Sequence, residues 1–217
     1  METLAVVVAV LGGYLLGSLS FAVIVSRVMG LADPRSYGSG NPGATNVLRG
    51  GSKAAALATL LGDALKGALA VWLVRRFGPQ FGLGDATAAF AGAAAFIGHL
   101  FPVFFRFQGG KGVATFLGVI LVVNPWLGLA ACLVWLLVAG FFRYSSAASL
   151  AAAAIAPPLQ AFVWGLDPVL VAVGLMSLLL IFRHQQNIAN LMSGRERKIG
   201  ARAAAEPRPT ARHHAGR

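Results

Sequence analysis

Long apolar runs separated by short polar segments set the pattern of this chain. Residues 3–26 carry no charged side chain, nor do residues 86–105 or 112–142, and Asp167 is the sole charge across residues 144–182. About 20 apolar helical residues cross the hydrocarbon core of a bilayer, so each run is long enough to span it. Turn chemistry divides the runs at Gly78-Pro79, at Asn124-Pro125 and between Gly165 and Pro168. The pattern predicts helices near residues 3–27, 53–75, 86–106, 112–123, 126–143, 147–164 and 168–183. The fourth reaches only about 18 Å, so it either begins before Gly112 or lies partly re-entrant. The first run carries Glu2 in place of a basic leader and is too long for a cleaved signal, so it is read as retained.

Composition agrees with that pattern. Of 217 residues, 57% are hydrophobic and 12% charged, too little charge to keep a soluble domain dispersed. The expected fold is all-α, a polytopic integral membrane protein of about seven transmembrane helices. With the N-terminus outside and the C-terminus cytoplasmic, the inner side receives all of the 18 lysines and arginines except Arg75, Arg76 and Lys66. That asymmetry obeys the positive-inside rule. Fusing residues 112–142 into one helix would put the basic clusters on opposite faces.

A net charge of +11 would point to nucleic acid in a soluble protein. Here the basic residues lie between and after the spans, where topology and anionic lipid account for them, so membrane lipids are expected partners and nucleic acid is not. Residues 1–194 read as a single transmembrane catalytic domain and residues 195–217 as a basic, disordered cytoplasmic tail. His213 and His214 read as solvated tail residues. The single Cys132 excludes a disulfide framework within the chain. There is no internal repeat of the kind from which many transporters are built.

Three polar segments carry the candidate chemistry. In residues 33–49, Gly38, Gly40 and Gly43 allow turns that aim backbone N–H groups at an anion. Ser39, Asn41, Thr45 and Asn46 add neutral hydrogen bonds, and Arg35 and Arg49 add charge. A second segment, Gly109-Gly110-Lys111-Gly112, feeds an apolar helix, an arrangement suited to phosphate. It is not a Walker A loop, since Val113 stands where a hydroxyl would take the metal. The third segment closes the last span with His184, Asn187 and Glu196, the first two sharing a face on a continuing helix. Glu196 is expected to pair with a loop arginine and hold the fold. Asp63 and Lys66, one turn apart inside the second span, are read as a structural ion pair supporting the first loop. His99 suits either packing or catalysis. The loops hold no carboxylate pair for Mg²⁺, so neither metal nor cofactor is expected. A His-x-x-x-x-Asp dyad and a Gly-x-Ser-x-Gly elbow are both missing.

Residues 38–49 (GSGNPGATNVLR), 98–105 (GHLFPVFF), 109–115 (GGKGVAT) and 183–188 (RHQQNI) resemble the bacterial membrane acyl-phosphate:glycerol-3-phosphate acyltransferases. Residues 61–67 and 143–146 match family positions too, and the resemblance runs from about Tyr14 to Lys198. It implies transfer of a fatty acyl group from acyl phosphate to the 1-hydroxyl of glycerol 3-phosphate, giving lysophosphatidic acid and phosphate. It also implies a site in the bacterial inner membrane facing the cytoplasm, and an upstream enzyme that supplies acyl phosphate. On matching positions the implied active-site set is Ser39, Thr45, Asn46, Arg49, Lys111, Ser146, His184 and Asn187, with Glu196 structural. Ser20 departs from the proline of many members, at a helix bend. Lys111 and Arg49 would clamp phosphate, while Ser39, Asn46 and Asn187 fix the acceptor hydroxyl. Its proton goes either to His184 or to a substrate phosphate oxygen. Of the rival classes, a transporter of a phosphorylated solute would use the same loops but needs access from both faces, and the outer loops are nearly bare; a lipid-binding scaffold leaves the hydroxyl and amide residues unexplained.

Overall fold

A computed structural model describes residues 1–200, which form ten α-helices and no strand. The tail positions Arg202, Arg208, Arg212, Arg217, Glu206, His213 and His214 lie outside the described residues. In chain order the helices are α1 (Glu2–Gly17), α2 (Phe21–Val28), α3 (Ala44–Arg49), α4 (Lys53–Phe77) and α5 (Asp85–Leu100). They continue with α6 (Val113–Val123), α7 (Pro125–Phe142), α8 (Ser145–Trp164), α9 (Pro168–Arg183) and α10 (Gln185–Met192). The apolar side chains exposed on α4, α7, α8 and α9, among them Leu65, Leu133, Phe162 and Leu178, form the surface that a lipid bilayer would cover.

Helices α4, α7 and α8, and α5 with the turn after it, are long and apolar enough to cross a membrane, and the bent pairs α1–α2 and α9–α10 qualify when joined. Helix α6 does not. Its 11 residues reach about 17 Å at 1.5 Å per residue. It begins after Gly112, whose φ of +80° no side-chain-bearing residue adopts cheaply, so the helix does not extend back into the glycine loop.

The predicted first span is broken. α1 and α2 meet at a 43° bend across residues 18–20, which leaves the Leu19 carbonyl without a helical partner. Lys66 reaches across from α4 and donates to that carbonyl at 2.6 Å, while Asp63 balances its charge at 2.8 Å. The expected structural pair therefore exists, but it supports the break in the first span rather than the first polar loop. An unpaired carbonyl inside a bilayer is costly, and the lysine satisfies it.

Small residues allow the close packing that apolar helices need where lipid supplies no hydrophobic drive. A Cβ on Gly17 of α1 would stand 2.5 Å from the Ala95 Cα on α5, and one on Gly118 of α6 would stand 3.0 Å from the Ala64 Cα on α4. At the end of the bundle remote from the polar loops, Arg75 pairs with Asp85 at 2.8 Å and donates to the Val123 carbonyl at 2.8 Å, capping α6. There too Asp167 accepts from the Leu170 N–H at 2.8 Å and starts α9, which accounts for the one charge in the last long run.

Candidate active site

The first polar loop is wound around one amide. Asn46, 2% exposed on α3, donates to the Pro34 carbonyl at 2.7 Å and the Tyr37 carbonyl at 3.1 Å, and accepts from the Ser39 N–H at 3.0 Å. Gly38 and Gly40 make the winding possible with φ of +64° and +66°. Asn46 thus spends these hydrogen bonds on the loop while lining the inner cavity, and Ser39, Asn41 and Arg49 line both cavities. The Thr45 hydroxyl lies 3.2 Å from that of Ser145 and ties the loop to α8. Arg35 is turned away: it pairs with Asp33 at 2.6 Å and is absent from both cavity walls, contrary to its expected place among the anion ligands.

The glycine loop is seated on the end of α5. The Gly110 N–H donates to the His99 carbonyl at 3.1 Å, and a Cβ on Gly109 would fall 2.6 Å from the Leu100 carbonyl carbon. Gly110 touches His99 and is not among the cavity-lining residues. His99 itself lies 3.4 Å from Asp63 and 3.3 Å from the Thr115 hydroxyl, at the floor of the site. From this seat Lys111 projects to the side-chain amide oxygen of Asn187 and donates a hydrogen bond to it. Burial brings its ammonium pKa down to about 8; Glu196 opposes the shift, while Arg49 and Arg183 add to it.

The third segment does not continue as one helix. α9 and α10 meet at His184 with a 57° bend, yet His184 and Asn187 still line the same cavity. The His184 Nδ1 sits 2.8 Å from the Leu180 carbonyl, which can only accept, so Nδ1 carries the proton and Nε2 is left as an acceptor. Burial pushes its pKa down to about 4. Glu196 takes a different partner from the expected loop arginine: one carboxylate oxygen accepts from the Ser146 hydroxyl and from the Asn187 amide, each at 2.7 Å, and no arginine salt bridge to it occurs among the described residues. The backbone delivers it there, because residues 195–199 form a strap. The Ile199 N–H donates to the Arg143 carbonyl at 2.7 Å and Lys198 lies 5.9 Å from the Tyr144 ring centre. Composition had assigned this strap to the solvated tail; its partners lie across the chain and leave no trace in local charge.

Two cavities result, sharing Ser39, Asn41, Arg49, Lys111, Asn187 and Glu196. The outer one, about 540 Å³, adds Arg183, Arg195 and Arg197 and is strongly cationic. The inner one, about 330 Å³, adds His184, Ser146 and an apolar arm of Leu60, Leu117, Cys132, Trp135 and Leu136. The Trp135 indole N–H donates to the Ser149 hydroxyl at 3.1 Å, fixing that wall. Neither the arm nor Arg183 stood out in the sequence, where one looks like any span and the other like a positive-inside arginine. Among the described residues no three His, Cys, Asp or Glu side chains gather into a metal-holding group.

A helical membrane protein with a cationic, hydroxyl- and amide-lined cavity at one end, opening into an apolar arm, is built to bring a phosphorylated polar molecule to a lipid chain. The glycerol-3-phosphate acyltransferase family model matches residues 7–194, and the chain belongs to that family. Glycerol-3-phosphate acyltransferases of Paraburkholderia xenovorans and Herminiimonas arsenicoxydans are 59% and 57% identical to it. The alignments cover 97% and 92% of this chain and 98% and 97% of theirs. Crystal structures of PlsY (YgiH), an integral membrane glycerol 3-phosphate acyltransferase, match with a TM-score of 0.82 and 38% identity in its glycerol 3-phosphate form. The lysophosphatidic acid form matches at 0.80 and 37%, and each alignment covers 90% of this chain and 96% of that protein.

Proposed function

We propose that the chain transfers a fatty acyl group from acyl phosphate to the 1-hydroxyl of sn-glycerol 3-phosphate, giving lysophosphatidic acid and inorganic phosphate. The observation that carries this reading is the meeting of residues 39–49, 109–112 and 184–196 on two cavities that share six residues, the outer cationic and the inner bearing an apolar arm. Arg49 and Lys111 hold phosphate charge, Ser39 and Asn187 fix the acceptor hydroxyl, and Leu117 and Trp135 border the acyl chain. The hydroxyl oxygen attacks the acyl carbon, the bond from that carbon to the phosphate oxygen breaks, and phosphate leaves. Acyl phosphate is already activated, so proximity and charge stabilisation suffice and no acyl-enzyme is needed. Asn46 contributes at one remove, holding the Ser39 loop.

The proton goes to a substrate phosphate oxygen. A phosphate monoester with its second pKa near 6 is the stronger base beside an imidazole held down to about 4. His184 then orients the hydroxyl through Nε2. His184→Asn is expected to lower kcat/KM by about tenfold or less, the worth of one neutral hydrogen bond, and to leave the pH–rate profile from about 3 to 9, a range that includes its own titration near 4, with its shape. Loss of a rising limb in that range would assign the base to His184 instead.

The cavity end faces the cytoplasm of a bacterial inner membrane in this reading, as the distribution of basic residues supports, and an upstream acyl-phosphate-forming enzyme supplies the donor. Purified protein reconstituted in vesicles, given acyl phosphate and labelled glycerol 3-phosphate with a chelator present, should make lysophosphatidic acid and phosphate one to one. Because glycerol 3-phosphate does not cross the bilayer, membrane vesicles from the producing cells should acylate it only when inside-out. Donor hydrolysis without acylation, or rescue by a divalent metal, would overturn the reading.

A further inference from the structure

Among the cations that the catalytic reading leaves without a role, Arg183 is the one bound to the loop that carries Lys111. Arg183 ends α9 immediately before His184, and its guanidinium forms no salt bridge among the described residues. Its Nη2 donates to the Gly109 carbonyl at 3.2 Å and to the Gly110 carbonyl at 3.2 Å, and its Nε donates to Gly110 at 3.3 Å. The guanidinium carbon lies 5.7 Å from the centre of the Phe101 ring, within cation–π range. These contacts meet a specific need. The loop lies against α5 through the Gly110 N–H, and among the described residues no backbone hydrogen bond reaches the Gly109 and Gly110 carbonyls. A planar fork answers two successive carbonyls in a way that a single ammonium cannot.

We propose that Arg183 is a positioning residue for Lys111: it fastens the loop backbone just ahead of that lysine and so aims the ammonium at the substrate phosphate, without itself binding substrate. Lys111 is then held at two points, its backbone by Arg183 and its side chain by Asn187, and both come from the last span and its continuation. The geometry couples two segments of the site, since His184 and Asn187 cannot shift with the end of α9 without moving the lysine loop. This role rests on the acyl-transfer reading above. The competing assignment is a direct phosphate ligand, because Arg183 also lines the outer cavity.

Arg183→Lys and Arg183→Gln separate the two, assayed beside a wild-type enzyme whose own turnover tests the acyl-transfer reading independently. A positioning role predicts that kcat/KM falls about tenfold in both, with kcat carrying most of the loss, because lysine restores charge but not the fork. The groups facing Lys111 are Arg49 from α3, Arg183 and His184 from the end of α9, Asn187 from α10 and Glu196 from the strap. Lys111 is charged below about pH 8 and loses its proton above, so wild-type activity should decline through that pH. Freed from its seat, the lysine is better solvated and that decline should move to higher pH in both variants. A third measurement is a double-mutant cycle: in a Lys111→Ala background Arg183→Gln should cost less than about twofold more. Near-complete rescue by Arg183→Lys with only KM altered in Arg183→Gln, an unmoved alkaline decline, or losses that multiply in the cycle would each overturn the proposal.

Discussion

Gly109→Ala is expected to cut kcat/KM for glycerol 3-phosphate by about 100-fold while the protein stays folded. The added methyl would meet the α5 backbone, 2.6 Å from the Leu100 carbonyl carbon, where no side chain can swing aside. The loop must lift, and Lys111 lifts with it. A displacement near 1 Å at a group that aligns reacting atoms costs on the order of 100-fold in rate. The helices need not change, because the loop lies outside them and adds no side chain to the apolar core. Steady-state kinetics beside a thermal melt checks this: activity close to wild type would show that the seat of the loop is not what places the lysine. Gly12, with open space around its own Cβ position, supplies a control glycine whose replacement by alanine should leave the rate unchanged.

Lys111→Ala is expected to lower activity at least about tenfold, since charge-assisted hydrogen bonds contribute on the order of 1.5–3 kcal/mol. The two cations nearest it in role, Arg49 and Arg183, cannot replace it, and Arg195 and Arg197 line only the outer cavity. Arg49 comes from the opposite loop, and Arg183 is committed to the Gly109 and Gly110 carbonyls. Removal also takes a partner from Asn187, whose amide remains bound to Glu196 at 2.7 Å, so the third segment should keep its place. The alkaline decline near pH 8 should vanish in this variant, because the group that loses its charge there is gone. A variant that keeps both the rate and the decline would remove Lys111 from the chemistry.

Much of this protein could be read from one dimension. Charge-free runs located the helices because apolar composition and turn residues are local properties, and a bilayer selects for them directly. The density of glycine, hydroxyl, amide and cationic groups marked residues 38–49, 109–112 and 184–196 for the same reason, and positive charge asymmetry put them at one end. What each residue does there was decided only by packing. Arg35 and Arg49 are alike in sequence, yet Asp33 takes one and the cavity receives the other. Asn46 looks like a ligand and is also the post of a loop. Lys66 looks like half of an ion pair and closes a broken helix 47 residues away. Glu196 was expected to meet an arginine and meets Ser146, 50 residues distant, and Arg183 finds its carbonyls 73 and 74 residues away. Composition and periodicity record what a residue prefers; which unsatisfied carbonyl or amide stands opposite it is set by how the helices cross, and that is written only in three dimensions.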